Sequence, residues 1–422
     1  MNYSIYFGLY LLLLSHFSHS KIIETYTIRG NSVCAGDSSL VVTSAIQIPA
    51  LSGHSIKQIS LLNYSQERFQ KITFQIDQKD AQGRYVFDKK NEKNRQSTGA
   101  MNTFTDNDEL VFRSKDMNER VDYSSNLLKQ YTLIELEIII ETNSGETSKW
   151  IYIKLDDENS ELDSGHNTTI NYDYIQDEVT SSVYKIGFSK AHPFLLDRFH
   201  WRLSDKTGWV PDITDMMKIR HTGRFFGLPF KRTQDDYYSQ LIAVQEGPLR
   251  IIRRTKNNIR VFLRLKSPVL FIDYVMMPNG FVMDTTIDIP FKVSFFFSEL
   301  TTVTTMDWNN LADNLKLSIQ TDKKTTIPIN GSPSDKKKAF NLIMGNSFLL
   351  NSNRGNFNVA LNIPDDFPIQ SNFYLRDALD EMDAPENYPG QFGNIGFKTT
   401  GWENVGSQLY HLKFTVCVDP AK

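Results

Sequence analysis

The chain has only two cysteines in 422 residues, Cys34 and Cys417, near opposite ends. Two cysteines so far apart make no metal cluster by themselves. Neither has a neighbouring pattern that would activate it as a nucleophile. An excess of one charge is missing too: 46 Lys and Arg stand against 49 Asp and Glu, a net charge of −3. That balance does not support a broad basic surface, so no nucleic-acid partner is expected. Beyond the first twenty residues no apolar run approaches the roughly 20 residues that span a bilayer. The next stretch, residues 134–140, is short and carries Glu135 and Glu137. Gly-x-Ser-x-Gly, His-Glu-x-x-His, a dinucleotide fingerprint and a haem-attachment motif are all absent. The chemistries those patterns serve therefore have no local signature, and no cofactor is expected.

What is present begins with Met1–Ser20, MNYSIYFGLYLLLLSHFSHS. An apolar core from Ile5 to Leu14 leads to Ser18-His19-Ser20, with small residues at −3 and −1 of a cut before Lys21. This is the layout of a secretory signal peptide, although its start lacks the usual Lys or Arg. The competing reading is a short membrane anchor, for which the apolar run is about half the needed length. The expectation is export to the periplasm or cell surface, with no transmembrane segment in the mature chain. Outside the cytoplasm Cys34 and Cys417 can pair. The closed loop would then span nearly the whole mature chain, with a ceiling of roughly 5–6 kcal/mol in the chain-entropy model. Two buried thiols are the alternative.

Hydrophobic residues make up 40% and charged residues 23%, a globular balance. Aromatics reach 12%, with 28 Phe and 18 Tyr, which suits pleated surfaces. Residues 21–155 read as short strands at 39–43, 46–48, 70–77, 84–87 and 109–112, several with period-two alternation. Residues 133–141 and 149–155 flank Asn143-Ser144-Gly145, a hairpin signal. Residues 156–178 hold eight carboxylates and no Lys or Arg, the composition of a linker. From 179 onward strands dominate again. Residues 249–254 and 259–265, separated by Thr255-Lys256-Asn257-Asn258, predict a hairpin, with Val261, Leu263 and Leu265 on one face. Further strands are predicted at 269–275, 281–287, 291–297, 315–319, 357–361 and 411–418. Short helices are predicted at 213–219, with Asp212 as N-cap, and at 373–381. The fold expected is mostly β with few short helices. It comprises a signal peptide (1–20), an N-terminal β-sandwich (21–155), an acidic linker (156–178) and a larger antiparallel β-sandwich (179–422).

Four constellations bear on chemistry. Asp77, Asp80, Asp106 and Asp108 lie in loops that could offer oxygen ligands to Ca2+. They lack the closing Glu of the twelve-residue calcium loop, and Asp also favours plain turns. His192, His200, Arg220, His221 and Tyr237 combine groups for acid–base work with a guanidinium to neutralise a carboxylate. The bland reading is a polar sheet face with ion pairs. Arg250, Arg253, Arg260 and Arg264 give a cationic stretch for phosphate or carboxylate, or a solvated strand face. The Gly-rich, aromatic run 387–397 and Gly401-Trp402 offers Tyr388, Phe392 and Trp402 to a sugar or protein partner, or folds back on the core.

The run Phe74-Gln75-Ile76-Asp77 through Gly83-Arg84-Tyr85-Val86-Phe87, then Asp106-Asn107-Asp108-Glu109-Leu110-Val111-Phe112, resembles the opening domain of an uncharacterised family of exported bacterial β-rich proteins. Gly247-Pro248-Leu249-Arg250-Ile251-Ile252-Arg253-Arg254 resembles a strand of their second domain. The resemblance implies no activity. The second domain also looks like the large β-sandwich of sugar-binding and carbohydrate-active proteins, an analogy of fold alone. The leading expectation is an exported cell-envelope binding or structural protein contacting glycan or another envelope protein. The alternative is a carbohydrate-active enzyme, a polysaccharide lyase or epimerase, using the His/Arg/Tyr set. Assembly through an open sheet edge is a third reading.

Overall fold

The computed structural model describes residues 21–34, 39–87, 102–125, 128, 130–142, 145–156, 168–203, 208–309, 316–321, 326–378 and 392–420. The leader and Tyr388 lie outside the described residues.

The protein is mostly β. The amino-terminal part stacks two sheets. A five-stranded sheet runs, in spatial order, Lys21–Arg29, Thr132–Thr142, Gly145–Leu155, Ile59–Ser65 and Arg68–Lys71. A four-stranded sheet runs Asn31–Ser32, Leu40–Ser44, Glu109–Arg113 and Phe74–Asp77. Alternation aims every second residue inward. Ile134, Leu136 and Ile138 of the first sheet thus meet Val41, Leu110 and Phe112 of the second in one core. Thr132–Thr142 and Gly145–Leu155 pair antiparallel down to Thr142 and Gly145, as the predicted hairpin requires, and Asn143 and Ser144 lie outside the described residues.

The larger part contains three sheets. A ten-stranded sheet runs Tyr237–Glu246, Ile251–Phe262, Leu270–Met277, Gly280–Ile289, Gln408–Pro420, Gly355–Asn362, Ser347–Asn351, Ser318–Gln320 and Thr326–Pro328, with the short Leu265–Lys266 strand paired to Ile251–Phe262. A five-stranded sheet of Leu228–Thr233, Thr214–Phe225, Phe297–Trp308, Phe392–Thr400 and Gln370–Arg376 packs against it. A four-stranded sheet, Ile170–Asp173 to Leu196–Trp201, completes the core, which holds Phe199, Met217, Phe397, Tyr274 and Val416 together.

Several sequence expectations are corrected. The helix predicted at 213–219 is part of the strand Thr214–Phe225. Its first eight residues are all buried, so both faces carry a mixture that hides the period of two. The helix predicted at 373–381 begins as the strand Gln370–Arg376, with Phe373 and Leu375 inward, and residues 379–381 lie outside the described residues. The hairpin at 249–265 is a single strand, Ile251–Phe262. Thr255 and Asn257, taken as turn residues, are buried in mid-strand and bond each other, Asn257 Nδ2 donating to Thr255 Oγ1 at 3.0 Å. The chain turns instead at Leu263-Arg264. The predicted strand 291–297 contains the 3-10 turn Val293–Phe295. Within the acidic stretch read as linker, Ile170–Asp173 is a strand with Ile170 and Tyr172 buried.

The two sandwiches meet over the strand Ile251–Phe262. Arg250, just before it, is 2% exposed and donates from Nε to Asp77 at 2.5 Å and from Nη2 to Glu109. Gln75 Oε1 accepts from the backbone N–H groups of Leu249 and Arg250 at 3.1 and 3.0 Å. The approach is so close that a Cβ on Gly247 would lie 2.1 Å from Gln75. Burial alone would raise the Glu109 carboxyl, but Arg250 and Lys79 outweigh it and hold the group at about 2. Cys34 and Cys417 form a disulfide with a Cα–Cα distance of 5.4 Å, in an apolar pocket with Leu40, Val111, Leu249 and Met277. The ion pairs of Arg250 with Asp77 and Glu109 thus span the contact between the two sandwiches.

Candidate functional site

Between the ten-stranded and five-stranded sheets lies a cavity of about 290 Å3. That is near the lower edge of ligand sites, roughly 300–1,000 Å3. Its walls are aliphatic and aromatic: Val261, Leu270 and Met283 from one sheet face Ile219, Phe297 and Phe397 from the other. A second cavity of about 90 Å3 shares Met283, Thr304 and Phe414 with the first, so the two continue along one interior line. At its other end the larger cavity reaches Phe225, Leu265 and Lys266 at strand tips and Phe296, which closes the 3-10 turn Val293–Phe295.

Strand alternation brings one polar cluster into this apolar wall. His221 of Thr214–Phe225, Tyr237 at the start of its strand, and Thr302 of Phe297–Trp308 all line the cavity. His221 Nε2 and the Tyr237 hydroxyl are 2.8 Å apart, and His221 Nδ1 and the Thr302 hydroxyl are 2.9 Å apart. A neutral imidazole donates through one nitrogen and accepts at the other, so this pair of bonds saturates it. Burial lowers the His221 pKa to about 4, against a smaller opposing pull from Asp236. Burial also pushes the Tyr237 phenol well above its usual range. Both groups are therefore uncharged at neutral pH.

The other nominated acid–base residues do not join them. Arg220, next to His221 on the strand, projects to the opposite face, where Nη2 donates to Thr305 Oγ1 at 2.5 Å and the guanidinium stacks on Tyr374. His200 Nδ1 lies 3.0 Å from the Val210 carbonyl in the small sheet. His192 Nε2 lies 3.7 Å from Asp235. Only His221 and Tyr237 of the five converge in the cavity.

The arginines predicted as one cationic patch also separate. Arg250 serves the junction of the sandwiches. Arg253 is fully buried on the opposite strand face, bonded to Asp177 and to the Pro193 carbonyl. Arg260 pairs with Asp236, and Arg264 is exposed in the turn. Trp402 packs edge-on against Phe367, donates from Nε1 to Thr399 Oγ1 at 2.8 Å and lines the cavity. Phe392 opens the strand Phe392–Thr400, and its side chain lies outside the described residues.

Three of the four carboxylates considered for Ca2+, those of Asp77, Asp80 and Asp108, have other work, and Asp106 is exposed. Asp77 binds Arg250, and Asp80 accepts from the N–H groups of Gln82 and Arg84 in a tight turn. Asp108 accepts from Lys79 N at 2.9 Å and Thr105 N at 2.8 Å, while the Asp106 carbonyl accepts from Ile46 N. Among the described residues, no group of three or more His, Cys, Asp or Glu side chains is placed to hold a metal.

The sequence reading missed Thr302, Met283, Phe225, Phe296 and Lys266. The one signal that pointed here was the local density of phenylalanine, Phe225-Phe226 and Phe295-Phe296-Phe297. No protein-family model matches the chain, and no curated protein matches it.

Proposed function

We propose that this is an exported cell-envelope binding protein whose ligand is a slender apolar molecule, such as a single acyl chain, held between the two large sheets. The observation that carries this reading is the cavity: about 290 Å3, walled by aliphatic and aromatic side chains, and reaching the strand tip at Phe225 and the turn at Phe296. An apolar cavity stays dry and takes apolar guests. The neutral His221–Tyr237–Thr302 cluster gives a hydrogen-bonding point along the chain. Export rests on the leader, and the resemblance to exported bacterial β-rich proteins agrees with it.

The glycan contact expected from the arginines and aromatics has weaker support, because Arg250 and Arg253 are buried in ion pairs and do not share a surface with Trp402. The lyase or epimerase alternative keeps His221 and Tyr237 but loses its guanidinium, since Arg220 faces away.

The test is a titration of the purified protein with a fluorescent long-chain fatty acid. We expect saturable binding at one site. Val261→Trp places a bulky ring in the cavity wall and should abolish it while thermal unfolding stays cooperative. Unsaturable uptake that Val261→Trp leaves unchanged would reject the reading.

A further inference from the structure

At the tip end of the cavity three turns come together. One joins Thr214–Phe225 to Leu228–Thr233, one joins Ile251–Phe262 to Leu265–Lys266, and the third is the 3-10 turn Val293–Phe295. The Phe226 N–H donates to the Phe296 carbonyl at 2.9 Å. The Phe225 ring lies 6.3 Å from Phe262 and 6.4 Å from Phe296, so the turns form one surface. That surface presents large apolar side chains to solvent: Phe226 is 66% exposed, Leu228 64%, Phe262 50%, Leu263 78%, Leu265 51% and Phe295 67%. Single exposed apolar residues are ordinary, but a contiguous group marks an interaction site.

Two of these residues also sit in an unfavourable backbone region. Phe226 has φ 47° and Leu263 has φ 44°. Such positions favour Gly, Asn or Asp, and a bulky side chain there is an outlier. Both turns therefore carry outward apolar groups at positions where a small polar residue fits the backbone better. Strain of this kind points to a function for the side chain.

Charge indicates the partner. Residues 222–236, 258–268 and 290–300 together hold seven Lys and Arg against three Asp and Glu. Of the three carboxylates, Asp236 faces Arg232 and Arg260, and Glu299 faces Arg224. Arg224, Lys231, Arg264 and Lys292 are exposed around the apolar tips. Apolar side chains ringed by cations suit an anionic lipid surface, with the rings entering the headgroup–acyl boundary and the Lys and Arg meeting lipid charge. A two-fold contact with a second copy would instead set this basic surface against itself.

We propose that this end of the second sandwich docks on an anionic lipid bilayer. Phe226, Phe262, Leu263 and Phe295 enter the boundary, and Arg264 and Lys266 lie among the headgroups. The inference goes beyond the cavity reading and does not require the cavity to be filled.

Co-sedimentation with sucrose-loaded vesicles tests it. The protein should pellet with mixed phosphatidylglycerol–phosphatidylcholine vesicles, at least about tenfold more weakly with phosphatidylcholine alone, and less as salt is raised. Leu263→Asp suits the left-handed backbone and should cut binding by about tenfold or more through lost apolar insertion. Its thermal unfolding should match the parent, and Leu263→Gly provides a second variant without added charge. Equal binding to both vesicle types, binding to neither, or unchanged binding by a folded Leu263→Asp would overturn the proposal. So would a concentration-dependent dimer that Leu263→Asp dissolves, with no vesicle binding. Normal vesicle binding without fatty-acid uptake would reject the cavity reading and leave this one standing.

Discussion

His221 should stay neutral well below the pH at which an exposed histidine gains its proton. In the folded protein burial holds it near 4, whereas in the unfolded chain it returns to about 6.5. Between those values the unfolded state binds the extra proton, so unfolding becomes easier as pH falls. The contribution is fully present above pH 6.5 and is lost progressively down to about pH 4. At about 1.36 kcal/mol per pH unit, the gap amounts to roughly 3 kcal/mol. Carboxylates of the unfolded chain also gain protons towards pH 4, so the informative quantity is a difference. Urea unfolding of the parent and of His221→Gln, at intervals from pH 7 to pH 4, isolates it. The variant should be less stable at pH 7, because Thr302 or Tyr237 loses a partner, but its stability should fall less steeply with acid. The His221 imidazole resonances of the parent, assigned by their loss in His221→Gln, should show no titration near pH 6.5. Identical pH slopes in the two proteins, or a His221 midpoint at 6.5, would refute the reasoning.

Two further outcomes concern the junction of the sandwiches. Arg250→Ala leaves buried Asp77 without its cation and Glu109 with Lys79 alone, and should cost about 3–5 kcal/mol in urea unfolding. Adding Asp77→Asn and Glu109→Gln should recover part of it, and a single-variant loss well under about 1 kcal/mol would contradict the burial argument. Cys34→Ser should lower stability by about 2–4 kcal/mol by releasing the closure of nearly the whole chain. A non-reducing mass equal to that of the reduced protein would show that the disulfide does not form.

Strand content was legible where apolar and charged residues alternate. Residues 133–141 announce themselves because Ile134, Leu136 and Ile138 enter the core while Glu135 and Glu137 lie between them, Glu135 buried against Arg120 on the other face. The reading failed where both faces are covered. Thr214–Phe225 is buried on both sides over its first eight residues, and its Met-Met-Lys-Ile run imitates a helical stripe. The strand Ile251–Phe262 was broken in two because Thr255 and Asn257 look like turn residues, yet they satisfy each other inside the sheet. Of the candidate site, His221, Tyr237 and Trp402 were legible in the sequence. Its third polar member, Thr302, comes from a strand 81 residues beyond His221 and has no local signature. Arg220 was misassigned because neighbours in a strand face opposite ways, and the same alternation divides Arg253 from Arg250 and Arg260.

The most direct test of the central claim is native mass spectrometry of the purified protein before and after extraction with organic solvent, then after exposure to long-chain fatty acids. The account predicts one apolar molecule per chain, removed by extraction, regained on exposure and absent from Val261→Trp. A protein that carries nothing, takes up nothing and behaves identically with Val261 replaced would contradict it.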